Sequence, residues 1–369
     1  MTFNTNPAQL DAPLSDLRVI DLTTDLGEYT GRLLADLGAH VLRPGDPHQA
    51  GSPRWAYMNA GKHLTETISD SELAQMLGGA DLLITSEGPH DLRQRGLHPA
   101  EVTARHPHLI HVAITPFGLT GPYADRPASD LTLLAAGGLL ALAGEPDREP
   151  VRAWGQQTSV IAGVHACTAA LIALQARDVD GGGQVIDLSV QQAVAHSLEN
   201  AAQYVDLEAV VRRRAGAGPK EAGTGLFGCA DGFIYLVGGL GGRPLAWEAI
   251  ADWLVDGGVT AAAALHDPCW QQPEWRRSPQ AVQHFRDLFD RFSAYRTKAE
   301  LFAEGQKRGI SIAPVATPQD LLTDPQLVAR DYFRVITVGE QTATVPGAPY
   351  RFRFSDVGPR STPHRKVSR

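Results

Sequence analysis

The first hundred or so residues switch repeatedly between two hydrophobic periods, and this alternation constrains the fold more than any other feature of the chain. Leu17-Arg18-Val19-Ile20-Asp21-Leu22 reads as a strand, a turn follows at Gly27, and Thr30 to Leu37 carries leucines at 33, 34 and 37, a helical spacing. Ala39-His40-Val41-Leu42-Arg43 returns to a strand. The rhythm repeats twice: Leu73 to Leu77 precedes Ala80-Asp81-Leu82-Leu83-Ile84-Thr85, and Pro99 to His106 precedes Leu109-Ile110-His111-Val112-Ala113-Ile114. Strands separated by helices run parallel, and a parallel sheet needs cover on both faces. Residues 14 to about 200 are therefore expected to form a doubly wound, Rossmann-like α/β domain.

Farther along, Ser159 to Leu174 is rich in glycine, alanine and aliphatic residues and predicts a close-packing helix, Gln184 to Leu188 a short strand, and Val190 to Arg214 a long helix. The run from Arg212 to Pro219, three arginines followed by alternating alanine and glycine, has the composition of a linker. An Asp231-Gly232 turn then leads into Phe233-Ile234-Tyr235-Leu236, helices continue to about Arg330, and Arg334 to Phe354 alternates as edge strands do. The expected organisation is a large domain over 14–210, a linker over 211–224, a small α/β domain over 225–330 and a tail over 331–369.

Composition narrows the function classes. With 33 lysines and arginines against 41 aspartates and glutamates, the 369-residue chain carries a formal charge of −8 and exerts no long-range attraction on nucleic acid or acidic lipid. Met1 to Leu14 lacks the basic and apolar segments of a signal peptide. The longest apolar run, Leu131 to Ala143, falls short of the ~20 residues that span a bilayer. Cys167, Cys229 and Cys269 form no CxxC pair and leave an odd count for disulfides, which fits a cytoplasmic protein. His106, His108 and His111 lack a carboxylate-flanked metal pattern and read as solvated loop histidines, so no metal is expected.

Several familiar chemistries fail on their residues. The turn from Asp25 to Gly31 lacks the GxGxxG triplet, and Glu28 would point negative charge at a pyrophosphate, so Asp46 is not read as the ribose-binding acid of a dinucleotide site. Ser159 lies in no GxSxG elbow, and His165, six residues on, is off its helix face, which argues against a serine hydrolase. Gly238-Gly239-Leu240-Gly241-Gly242 fits either a ligand-wrapping loop or a simple turn.

Longer segments carry a resemblance. Leu33-Leu34-Ala35-Asp36-Leu37-Gly38-Ala39, Asn59-Ala60-Gly61-Lys62, Phe117-Gly118-Leu119-Thr120-Gly121-Pro122-Tyr123 and Gly144-Glu145-Pro146-Asp147 occur in this order. Asp187-Leu188-Ser189, Cys229-Ala230-Asp231-Gly232, Asp324-Pro325-Gln326-Leu327 and Pro346-Gly347-Ala348-Pro349 follow. Together, from about Leu14 to Phe354, the chain resembles the family III CoA-transferases, which include formyl-CoA and carnitine CoA-transferases and the α-methylacyl-CoA racemases. The resemblance implies coenzyme A esters and a carboxylic acid as substrates, a tail that returns to the large domain, and two chains threaded as interlocked rings. It also implies an aspartate that attacks the thioester and carries the transfer through covalent intermediates.

Aligned on Pro150 and Gly163, the position of that aspartate holds Ser159, and where the racemases add a histidine the chain reads Ala128-Ser129-Asp130. Of the basic residues that the family places at CoA phosphates, Arg43 and Lys62 remain, with Arg93 and Arg95 nearby, while Ala60, His63 and Ser86 stand at eroded positions. Gln156-Gln157-Thr158-Ser159, Ser189-Val190-Gln191-Gln192-Ala193-Val194 and the Asp206 to Arg214 helix resemble the aspartate-less subunit type found in two-chain members such as benzylsuccinate CoA-transferase. The expectation is a subunit without its own nucleophile, paired with a catalytic homologue or with itself. The alternatives are an active homodimer using Asp130 or Glu145 as a substitute carboxylate, and a non-enzymatic acyl-CoA binding protein.

Overall fold

Period-two alternation in strand β1 (Arg18–Asp21) sends Val19 to one face of a sheet and Ile20 to the other, and both side chains are buried. The computed structural model describes residues 12–45, 52–216, 218, 220–338 and 341–361, so Asp46 and the end of the tail lie outside the described residues. After β1 come helix α1 (Glu28–Asp36), β2 (His40–Pro44), α2 (Pro53–Asn59), β3 (His63–Thr65), α3 (Asp70–Leu77), β4 (Leu82–Thr85), α4 (Pro89–Gln94), α5 (Pro99–Arg105) and β5 (Ile110–Thr115). Then follow α6 (Asp130–Ala136), α7 (Leu139–Leu142), α8 (Gln157–Asp180), β6 (Val185–Ser189), α9 (Val190–His196) and α10 (Ala201–Glu208).

The six strands form one parallel sheet in the order β3-β2-β1-β4-β5-β6, with Val19 beside Val41 on one side and Leu82 on the other. This is the doubly wound arrangement. Val19, Val41, Leu82, Ile84, Val112 and Ile114 pack with Leu34 of α1 and Ala162, Ala166 and Ala170 of α8. Ile20 and Leu83 point the other way, onto Leu73 and Leu77 of α3, Leu92 of α4 and Val102 of α5. Helix α8 can lie close to α1 because of Gly163: a Cβ there would stand 2.8 Å from Tyr29 Cβ and 3.2 Å from the Thr30 nitrogen. By length and composition alone α8 could also cross a membrane; here Thr158, Ser159, Ala162, Gly163, Ala166, Cys167, Ala170 and Ala173 are buried, while Val164, Ile172 and Val179 are exposed.

Three details differ from the sequence reading. His111 is fully buried in the middle of the sheet, with Nε2 3.0 Å from Thr85 Oγ1, because β5 is covered along its whole length. The long helix expected over Val190–Arg214 breaks after His196 and stops at Glu208. Ser197 donates to the Ala193 carbonyl and Glu199 takes a positive φ, local backbone choices that compete with helix continuation. The three-residue β3 was too short to show a period in the sequence.

By its internal contacts the chain forms two compact units, one of 1–143, 150–213 and 325–369, the other of 144–149 and 214–324. The second unit has a three-stranded antiparallel sheet in the order β11-β8-β7, from β7 (Thr224–Cys229), β8 (Gly232–Val237) and β11 (Ser311–Pro314). Between them run the short hairpin β9 (Gly239–Leu240) and β10 (Arg243–Pro244) and helices α11 (Trp247–Asp256), α12 (Pro273–Arg277), α13 (Pro279–Ser293) and α14 (Lys298–Lys307), and α15 (Pro318–Thr323) follows. Its core is aromatic: Trp253 and Phe292 lie 4.7 Å apart between ring centres, as do Phe227 and Phe289. The glycine-rich stretch is a pinned hairpin, since Arg276 donates to the Gly238 carbonyl at 2.9 Å and Gly242 donates to Glu221 at 2.8 Å. After α16 (Pro325–Ala329) the chain rejoins the first unit as the hairpin β12 (Phe333–Val338) and β13 (Gln341–Pro346), where Ile336 and Val345 pack on Ala56 and Ala60.

Candidate functional site

Strand order reverses at β1, which has β2 on one side and β4 on the other, and a crevice opens outside the carboxyl ends of strands at such a point. The turn after β1 supplies Thr24, Asp25 and Leu26, the segment after β4 supplies Ser86, Glu87 and Gly88, and the loop into α6 supplies Ala124 to Asp130. The start of α8 closes the remaining side with Gln156, Thr158 and Ser159. The cavity holds about 700 Å³. Thr24 and Ser86 fasten two of its walls together, the Thr24 nitrogen donating to Ser86 Oγ at 2.8 Å.

Ser159 is 2 % exposed, and its Oγ donates to the Asp25 carbonyl at 2.7 Å. A hydroxyl has one proton, so this proton is directed at a carbonyl and not at a base. His165 lies against His196 instead, with ring centres 5.2 Å apart. Asp130 also lines the cavity: its Oδ1 accepts from the Thr158 nitrogen and from Thr158 Oγ1, both at 2.9 Å, and so caps the first turn of α8. Glu145 belongs to the second unit.

The four basic residues named from the sequence fare differently. Lys62 is fully buried, its ammonium 2.8 Å from Asp21 Oδ2 and 2.9 Å from the Glu28 carbonyl, so it presents nothing to a ligand in this arrangement. Burial opposes the charge of Asp21, yet Lys62 and Arg43 outweigh it and hold the carboxyl below its ordinary value. Burial likewise draws the Lys62 ammonium below its usual range, against the pull of Asp21. Arg43 donates to Glu28 Oε1 at 2.8 Å and lies 3.5 Å from Asp21 Oδ1. Arg95 pairs with Glu87 on the cavity wall, and Arg93 is exposed on α4.

Sequence reasoning missed Arg54, whose Nη1 lies 3.3 Å from Glu28 Oε2. The signal was present in Ser52-Pro53, since Ser52 caps α2 with proline at its first position. Among the described residues no group of three or more histidine, cysteine, aspartate or glutamate side chains is arranged to hold a metal.

The model of CoA-transferase family III matches residues 14–365. The chain belongs to this family. Members transfer CoA from acyl-CoA to a carboxylate, and this family III chain is 37% identical to the succinyl-CoA:(R)-benzylsuccinate CoA-transferase subunit BbsE of Thauera aromatica, over 92% of its own length and 88% of that protein. It is 28% identical to the succinyl-CoA–D-citramalate CoA-transferase of Chloroflexus aurantiacus, over 86% and 82% of the two chains. Its fold matches the crystal structure of a CAIB/BAIF family protein from Brucella suis with a TM-score of 0.85 at 24% identity, covering 96% of this chain and 97% of that one. CoA-transferases of this family use CoA thioesters as substrates.

Proposed function

We propose that this chain is the subunit without a nucleophile in a two-chain family III CoA-transferase, and that a homologous chain bearing the aspartate carries the acyl group. The observation that supports this most directly is Ser159, whose hydroxyl proton is bound to the Asp25 carbonyl. A serine so held has no partner to accept its proton on attack, and the ester it would form returns acyl groups to CoA less readily than an anhydride does. The name of the relative from Thauera aromatica, a subunit, supports the same reading, and the succinyl-CoA named for both curated relatives makes succinyl-CoA the proposed donor. The second chain is proposed to interlock with this one and to cover apolar side chains that α8 exposes, Val164, Ile172 and Val179. The proposed location of the complex is the cytoplasm.

A second reading, a homodimer with a substitute nucleophile, is favoured by Asp130, which lines the cavity and whose Oδ2, not used by Thr158, lies 3.8 Å from Arg152. One experiment separates the two. The chain alone, and the chain with an aspartate-bearing homologue, are treated with succinyl-CoA and mapped by mass spectrometry. An adduct confined to the partner's aspartate is expected, and an adduct on Asp130, Ser159 or Glu145 of this chain would overturn the subunit reading.

A further inference from the structure

The end of β1, the start of α1 and the end of β2 frame the place where a doubly wound fold ordinarily receives a ligand phosphate, because unpaired backbone amides and nearby cations favour an anion there. In this chain an anion is already built in. Glu28 is the first residue of α1, its side chain is 4% exposed, and its two oxygens lie 2.8 Å from Arg43 and 3.3 Å from Arg54. The backbone at the same residue is held as well, the Glu28 carbonyl accepting from Lys62 at 2.9 Å. Arg43 is further engaged by Asp21 at 3.5 Å, and Arg54 stands 3.8 Å from Asp25. The adjoining cavity adds Glu87, Asp91, Asp125 and Asp130, against His90 and Arg126, with Arg95 paired to Glu87 and Arg152 3.8 Å from Asp130.

We infer that Glu28 is a specificity-determining residue: its carboxylate takes the place of a ligand phosphate between Arg43 and Arg54 and turns this chain's own crevice against the phosphates of CoA. The inference rests on the reading that a CoA ester would lie in the crevice at β1 and β4, and it deepens the proposed subunit role by assigning productive CoA binding to the partner. A phosphate arriving at Arg43 has to displace a buried, doubly paired carboxylate and meets like charge along the cavity wall. Arg43 and Lys62, which resemble a phosphate-binding pair in the sequence, thus serve an internal anion cluster.

The test is equilibrium binding to the full chain, with CoA and with pantetheine, which lacks the phosphates together with the adenosine, so the Glu28 and Arg43 variants isolate the contribution of charge. Wild type is expected to hold the two equally. Glu28→Gln, which keeps the shape and removes the carboxylate charge between the two arginines, is expected to gain about tenfold for CoA over pantetheine, the scale of one charge-assisted hydrogen bond, and Glu28→Gln/Arg43→Gln to lose that gain. Wild-type CoA affinity about tenfold or more above that for pantetheine overturns the inference, as does a folded Glu28→Gln chain with no gain. Should Glu28→Gln not fold, the wild-type comparison decides alone. Adduct mapping on the partner fails or succeeds independently, so a wrong subunit assignment and a wrong role for Glu28 give different results.

Discussion

Lys62 Nζ lies 2.8 Å from Asp21 Oδ2, and neither side chain has any exposed surface. The pair is closed over by Arg43, Thr23 and the Glu28 backbone, so each charge depends on the other for compensation. Removing Lys62 leaves the buried Asp21 carboxylate with only Arg43, 3.5 Å away, to offset its charge. Lys62→Ala is expected to lower unfolding stability by about 3–5 kcal/mol, measured by urea denaturation, and pairing Lys62→Met with Asp21→Asn should recover much of the loss.

His111 makes stability depend on acid. Burial holds its imidazole neutral and lowers its pKa from 6.5 to about 4, so between these values the unfolded chain binds a proton that the folded chain does not. The contribution is complete above pH 6.5 and is lost as pH falls towards 4, by about 3 kcal/mol at the acid end. Denaturation profiles should show this slope in wild type, and His111→Gln should flatten it.

The contact of α8 with α1 is set by the missing side chain at position 163. Gly163→Ala would bring its methyl group to 2.8 Å from Tyr29 Cβ and must push the two helices apart. A loss of about 1–3 kcal/mol is expected, read as a lower thermal midpoint.

Restoring a carboxylate at position 159 should not restore the reaction. Ser159→Asp replaces a hydroxyl donor with an acceptor beside the Asp25 carbonyl and adds charge near Asp130, so the new group is pushed from its position. Displacement by about 1 Å is enough to cost about a hundredfold in rate. Without the partner, the variant is expected to form no thioester adduct by mass spectrometry; robust turnover would mean that the crevice is intact and only the nucleophile was lost.

The parallel sheet was legible because its central strands are short, nearly continuous apolar runs set next to helices of period 3.6, and Val19 with Ile20 shows both faces buried in two adjacent letters. Ser159, singled out in the sequence, lines the cavity. The role of the cations was not legible. A lysine in a Gly61-Lys62 turn and an arginine at the end of a strand look like phosphate ligands until tertiary packing brings Asp21 and Glu28, distant from them in the chain, within bonding distance. His111 was misread although the sequence sets it inside a strand between Ile110 and Val112: a histidine reads as solvated, whereas this strand is covered on both faces.

The large unit is assembled from three separate stretches of chain, and the Gly358 nitrogen donates to the Asp36 carbonyl at 2.9 Å, while the β12–β13 hairpin seats on α2. On a ribosome, this order has a temporal meaning. The residues from 214 to 324 emerge as an almost uninterrupted unit and can collapse at once, whereas the six-stranded sheet, made first, waits with the flank of α1 and α2 uncovered until the last stretch leaves the exit tunnel. The oldest part of the nascent chain is therefore the last to be sealed, and during that interval it is the part most in need of a chaperone.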